Sequence, residues 1–148
     1  MKRCLLGLVL CVCLGSCGAK EESNIGDNNS AILGTWKITS IKVSSASLTQ
    51  RPPTGEAISI SFLEDGAFNG STPNNTFNGL YGFEGTNTLT IIEFGATEAE
   101  DTTYGQAFFN AVEAATVSEL ESTQFGYSFE SQDLILVFGD SGEMVLEK

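Results

Sequence analysis

The sequence contains no histidine. That absence removes the usual general base at neutral pH, the commonest metal ligand and any Ser-His-Asp triad. Basic residues are scarce. Seven Lys and Arg stand against nineteen Asp and Glu, for a formal net charge of −12. Nucleic acid and anionic lipid surfaces are bound through basic patches, so neither suits this chain as a partner. Cysteine is missing from residue 18 onward; Cys4, Cys11, Cys13 and Cys17 all fall in the first seventeen positions.

Those first positions have an order of their own. Lys2 and Arg3 form a positive start, and Cys4 to Leu14 is apolar and uncharged. The apolar run is too short for a permanent membrane helix, which needs about 20 residues. It has the length of the central segment of a signal peptide, roughly 7–15 residues. Leu14-Gly15-Ser16-Cys17 resembles the lipobox cut by the lipoprotein signal peptidase. The reading is a signal peptide over 1–16, removed in maturation, with Cys17 as the lipid attachment site. A single acyl chain holds a protein to a membrane only marginally, so a doubly or triply acylated Cys17 is what stable anchoring requires. Gly18 stands where an aspartate would signal retention at an inner membrane. Lys20, Glu21 and Glu22 resemble a surface-export signal; a plain polar tether is the other reading. The expected location is the outer membrane, lipid-anchored and facing either side.

Cleavage leaves 132 residues, one domain's worth. All nineteen acidic residues stay while Lys2 and Arg3 leave, so the net charge becomes −14. With three cysteines removed and the fourth acylated, no thiol remains for a disulfide, a zinc site or a nucleophile. No cofactor and no metal are expected.

Residues 17–30 are polar, with Ile25 the single large aliphatic side chain, and read as a tether. The domain is placed at 31–148. From Trp36 the chain alternates through Ile38 to Ile41 and Val43, with a slip near Ser40 that suggests a bulge. Ile58 to Phe62 alternates strictly, and Asp65-Gly66 supplies a tight hairpin turn into Ala67–Gly70. Further strands are read at Phe77–Phe83, Leu89–Ile92, Phe125–Phe129, Leu134–Phe138 and Glu143–Leu146. Tyr104, Ala107, Phe108, Ala111, Val112 and Ala115 form one helical stripe. Thr103 and Gln106 have the spacing of a capping box, and Asp101 suits the positive end of the helix dipole. The expected class is α+β: a curved, mostly antiparallel, barrel-like sheet with one packed helix.

From Asn75-Thr76-Phe77-Asn78-Gly79-Leu80-Tyr81 to Asn87-Thr88-Leu89-Thr90-Ile91 the chain resembles the META/HslJ-like domain family. Thr97, Phe108, the stretch Gln132–Leu136 and Met144–Leu146 extend the likeness over nearly the whole domain. Many members of that family carry a cysteine in a Gly-Cys-Asn run where this chain has Asn74-Asn75, and a second cysteine after the threonine; both are missing here. The resemblance implies an envelope-associated domain and carries no agreed enzymatic activity. Leu33-Gly34-Thr35-Trp36 also resembles the Gly-x-Trp start of lipocalin-like barrels, which implies a carrier of a small apolar ligand.

Candidate chemistry is thin. Glu93, Glu98, Glu100 and Asp101 gather before the helix, where carboxylates serve acid–base work or a calcium ion. The spacing is not that of an EF-hand loop, and a solvated acidic loop is the plainer reading. Asn74, Asn75, Asn78 and Tyr81 are candidates for a polar pocket, with turn roles for the asparagines as the alternative. Phe62, Phe68, Phe77 and Phe83 are read as core, and Gly70 and Gly79 as points of tight curvature. Asp101-Thr102-Thr103 resembles a short O-glycosylation site. The overall expectation is a non-enzymatic binding or scaffolding domain. It would be held to the membrane through acylated Cys17 and would serve another envelope protein or a cell-surface component.

Overall fold

Alternation of apolar and polar residues builds the first strand, β1 (Gly34–Lys42), in which Trp36, Ile38 and Ile41 turn inward. The computed structural model describes residues 29–45, 47–118 and 122–148. The alternation slips where it was expected to. Ile38 pairs with Leu146 and Ser40 with Val145, so Thr39 is the extra residue of a bulge.

After β1 come β2 (Ser59–Phe62), β3 (Ala67–Ser71), β4 (Thr76–Glu84) and β5 (Thr88–Ala96). The helix α1 (Thr103–Ala114) follows, then a two-residue β6 (Thr116–Val117) and β7 (Ser122–Glu130), β8 (Asp133–Phe138) and β9 (Gly142–Glu147). Neighbours run β5-β4-β3-β2-β1-β9-β8-β7, all antiparallel, and β5 also pairs with β7. The sheet therefore closes on itself as an eight-stranded barrel, with β6 a short addition to β7. This is the expected α+β class, a curved, barrel-like antiparallel sheet with one packed helix, and the barrel is fully closed.

The Asp65-Gly66 turn differs in detail. Gly66 takes φ of +82° and Asp65 does not take a positive φ. Gly66 N–H donates to the Leu63 carbonyl at 3.2 Å, and Leu63 and Ala67 pair beyond it. A turn of ordinary hand followed by one left-handed glycine links β2 to β3, and the Asp65 carboxylate accepts from Ala67 N–H at 3.1 Å.

Barrel curvature rests on two glycines. A side chain on Gly70 would meet the Phe77 ring and the Ser59 carbonyl. One on Gly79 would meet the Glu93 backbone and the Phe68 ring. Gly79 sits beside a second bulge, where Leu80 opposes Glu93 but Tyr81 opposes Ile91, leaving Ile92 over.

The interior is filled by inward side chains from every wall, including Phe62, Phe68, Phe77, Leu89, Phe125 and Leu136. Each such side chain contributes about 1.5–3 kcal/mol through burial. Phe83, also read as core, is partly buried against it. The remaining internal space is about 20 Å³, lined by apolar atoms. That is about the room for one water, with no polar group to hold it.

The two barrel ends are closed differently. At one end residues 29–31 are helical, and the Trp36 indole N–H donates to the Ile32 carbonyl at 2.6 Å. Phe129 packs on the Trp36 ring, and Tyr127 donates to the Asn29 side chain at 2.6 Å. The packed domain thus takes in Asn29 and Ser30, the last residues of the polar stretch. At the other end α1 lies across the opening. It buries Tyr104, Ala107, Phe108 and Ala111 on the expected stripe, and Phe108 stacks on Phe77 at 4.6 Å between ring centres.

Candidate functional site

The helix end carries a polar node. The turn between β3 and β4 brings Thr72, Asn74 and Asn75 against the segment that leads from β5 into α1. The Asn75 amide spans the gap: its nitrogen donates to the Ala99 carbonyl at 2.9 Å and to the Asp101 carboxylate at 2.8 Å. Its oxygen accepts from Thr97 Oγ1 at 2.9 Å and Ala99 N–H at 2.8 Å. The Asn74 amide donates to the Glu100 carbonyl at 2.8 Å. Thr72 Oγ1 donates to Asp101 as well.

Asp101 is the hub. Its other oxygen accepts from Thr102 N–H at 2.8 Å. Partial burial raises the carboxyl's pKa, but hydrogen bonds from Thr72, Asn75 and the backbone of Thr102 and Asn74 outweigh it and hold the group below its ordinary value. A carboxylate with its lone pairs so engaged is a weak proton acceptor. It suits an anchor better than a general base.

The helix cap sits one residue earlier than its sequence spacing suggests. Thr102, not Thr103, is the N-cap: its hydroxyl accepts from Gly105 N–H at 3.1 Å. Gln106 does not complete a capping box; it donates to Asn110 at 3.2 Å. Thr102 Oγ1 also donates to the Glu56 carboxylate at 2.7 Å. The threonine of the Asp-Thr-Thr triplet is therefore committed on both sides. Gly105 is required by the same packing, because a side chain there would run into the Asp101 carboxylate.

The node gathers some of the residues singled out from sequence and leaves others apart. Asn74, Asn75, Thr97 and Asp101 come together. Asn78 lies exposed on the outer wall opposite Gly95. Tyr81 turns into the barrel, donates to the Leu63 carbonyl at 2.7 Å and packs edge-on against Phe62. Burial, with a smaller push from Asp65, raises the Tyr81 pKa. Glu93, Glu98 and Glu100 are exposed and do not converge with Asp101. Among the described residues no three acidic side chains are placed to share a cation. Cys17, Lys20, Glu21 and Glu22 lie outside the described residues.

Thr72, Glu56 and Gly105 were not singled out from sequence, and Thr102 was noted only within the Asp101-Thr102-Thr103 triplet, not as the cap. For Thr102 the helix-start pattern was visible and off by one. Glu56 gives no local sign, since its partner is 46 residues away.

Comparison with known proteins places this geometry. No curated protein matches the chain. A crystal structure of a DUF4847 family protein from Bacteroides vulgatus ATCC 8482 is similar in fold, with a TM-score of 0.56 at 20% identity, covering 82% of this chain and 96% of that one. The META domain profile matches residues 30–148, which spans the barrel, the helix and the polar node. The chain belongs to the META domain family.

Proposed function

We propose that this chain is a lipid-anchored envelope protein whose META domain binds or scaffolds another envelope or cell-surface component and performs no catalysis. The observation that carries the reading is the filled barrel. An internal space of about 20 Å³ compares with the roughly 300–1,000 Å³ of a small-molecule site. It counts against the lipocalin-like carrier that the Gly-x-Trp likeness implied, and Trp36 serves instead to plug one end of the closed barrel. Recognition then falls to the outer surface.

The sequence layout through Cys17 supports the anchor. Asn29 lies at the Trp36 end, so a chain rising from a lipidated Cys17 joins the barrel there. The helix and the acidic segment before it lie at the opposite end. The test is intact-mass analysis of the protein expressed with its own leader, beside Cys17→Ala, with proteinase added to whole cells. Acyl mass on the wild type and removal by proteinase are the expected results, with partners then sought outside the cell. Acylation with protection would move the partner inside the envelope and leave Lys20, Glu21 and Glu22 as tether. An unacylated, soluble wild type would overturn the anchor.

A further inference from the structure

Among the described residues, the far half of β5 has a strand neighbour on one side only. β7 pairs with β5 from Thr88 to Ile91 and no further, while β4 follows it to Ala96. Thr97 N–H donates to the Thr76 carbonyl at 3.0 Å. Along an antiparallel pair, residues alternate between bonding the neighbour and facing away. Gly95 opposite Asn78 and Glu93 opposite Leu80 therefore bond β4. The N–H and C=O groups of Phe94 and Ala96 face away from β4, where no described strand pairs with them.

The surroundings are accessible and apolar in part. Every residue from Ile92 to Glu100 is exposed. Ile92 is 64% exposed on the outer wall, with Leu80 near it, while Phe94, 37% exposed, turns inward onto Phe68 and Phe77. On that inner face Phe94 also meets Phe109 of α1 edge-on, so the edge borders a cluster of rings at the helix end. The charge around it has one sign. Glu93, Glu98 and Glu100 flank the edge, and no Lys or Arg occurs anywhere between Arg51 and Lys148.

We propose that the β5 edge from Ile92 to Ala96 is a docking strand for an extended, basic segment of a partner protein, added as a further antiparallel strand. Backbone groups of Phe94 and Ala96 supply the pairing. Alternate partner side chains meet Ile92, Leu80 and Glu93 on the outer face and the rings of Phe94 and Phe109 on the other. A second copy of this chain fits poorly, because pairing two such edges would set the same unneutralised glutamates against each other. The proposal rests on the surface-binding reading above and gives its partner a chemistry.

The test uses the full chain and an alternating lysine–valine peptide carrying a fluorophore. The same peptide with every backbone nitrogen methylated, which keeps the charge and lacks donors for pairing, is the control. The lysine–valine peptide should bind and slow amide hydrogen exchange at Phe94 and Ala96; the control should bind weakly and slow neither. Ala96→Pro removes an edge donor while leaving the β4 ladder intact, and should weaken binding up to about tenfold. Glu93→Gln with Glu98→Gln and Glu100→Gln should weaken it by about tenfold at low salt and much less at 0.5 M. Thermal midpoints of both variants are checked first, so that misfolding is not read as lost binding. Equal binding of both peptides, protection elsewhere, or no binding at all would overturn the docking strand. Concentration-dependent protection of the same amides without peptide would make a second copy the occupant. None of these outcomes alters the acylation and proteinase result, so the edge and the anchored-domain reading fail separately.

Discussion

The two ends of the barrel solve the same problem with different chemistry. The end where the chain enters is sealed by rings: Trp36 against Phe129, with Tyr127 beside them. The helix end is sealed by α1, and α1 is held in place by a net of hydrogen bonds around Asp101 and Asn75. An apolar seal is non-directional and tolerates approximate placement. A polar one holds a fixed geometry because each unmet donor or acceptor is costly. The difference puts the rigid registration of loop and helix next to the exposed β5 edge, and the adaptable packing next to the tether.

The largest effect is expected at the aromatic end. Trp36 is 2% exposed, and Trp36→Ala should cost about 3–5 kcal/mol of unfolding free energy, read by urea denaturation. A loss below about 1 kcal/mol would show that this end collapses around the gap and is not a tight seal. Next comes Asp101→Asn at the polar end, expected to cost about 1.5–3 kcal/mol at pH 7, since it removes hydrogen bonds to a charged group. The carboxyl's pKa is lowered in the folded protein. Its contribution is therefore complete above the ordinary carboxylate value near 4 and is lost as pH falls through the folded value. Wild type and variant should converge in strongly acid solution. A gap that stays constant into acid would mean that the side chain's shape, and not its charge, holds the node.

The same contrast governs what the sequence made legible. The aromatic end follows from alternation: Trp36, Ile38 and the slip near Ser40 are visible in eleven consecutive letters, and the fold repeats them. The helix stripe is local in the same way. The polar node joins segments through bonds between residues 22–46 apart, so no window of sequence contains it. Thr97 was legible through family likeness alone, whereas Asn75 also stood out as a polar-pocket or turn candidate. The far half of β5 was missed for two physical reasons. Glu93, Gly95 and Ala96 are poor strand formers, and the bulge at Ile92 breaks the alternation that marks a strand. β6, with two residues, is too short to carry any period.

Tyr104 tests how far the polar end depends on donors inside the barrel. Its hydroxyl donates to the Ile38 carbonyl at 2.8 Å, and burial pushes its pKa up to about 12. The folded value lies above the unfolded value near 10, so the stabilisation is present below pH 10 and is lost as pH rises toward 12. Tyr104→Phe should cost about 1 kcal/mol at pH 7. It should also flatten the alkaline decline, followed by circular dichroism between pH 9 and 12. An unchanged alkaline limb would assign the decline to Tyr81 and Tyr127, both of which burial also raises.

The smallest effect belongs to the aromatic end, where charge does enter. Lys148 Nζ stands 4.7 Å from the centre of the Trp36 ring and also donates to the Ala31 carbonyl at 3.3 Å. Lys148→Gln should cost about 0.5 kcal/mol, the magnitude of an exposed cation–ring contact. The two contacts can be separated by repeating the change in a Trp36→Phe background. Phenylalanine keeps an apolar plug but presents a weaker face to a cation. A smaller loss there would assign the effect to the ring. An equal loss would assign it to the ammonium's hydrogen bond to the Ala31 carbonyl, and the Trp36 ring would then close this end by packing, with no cation–ring contribution.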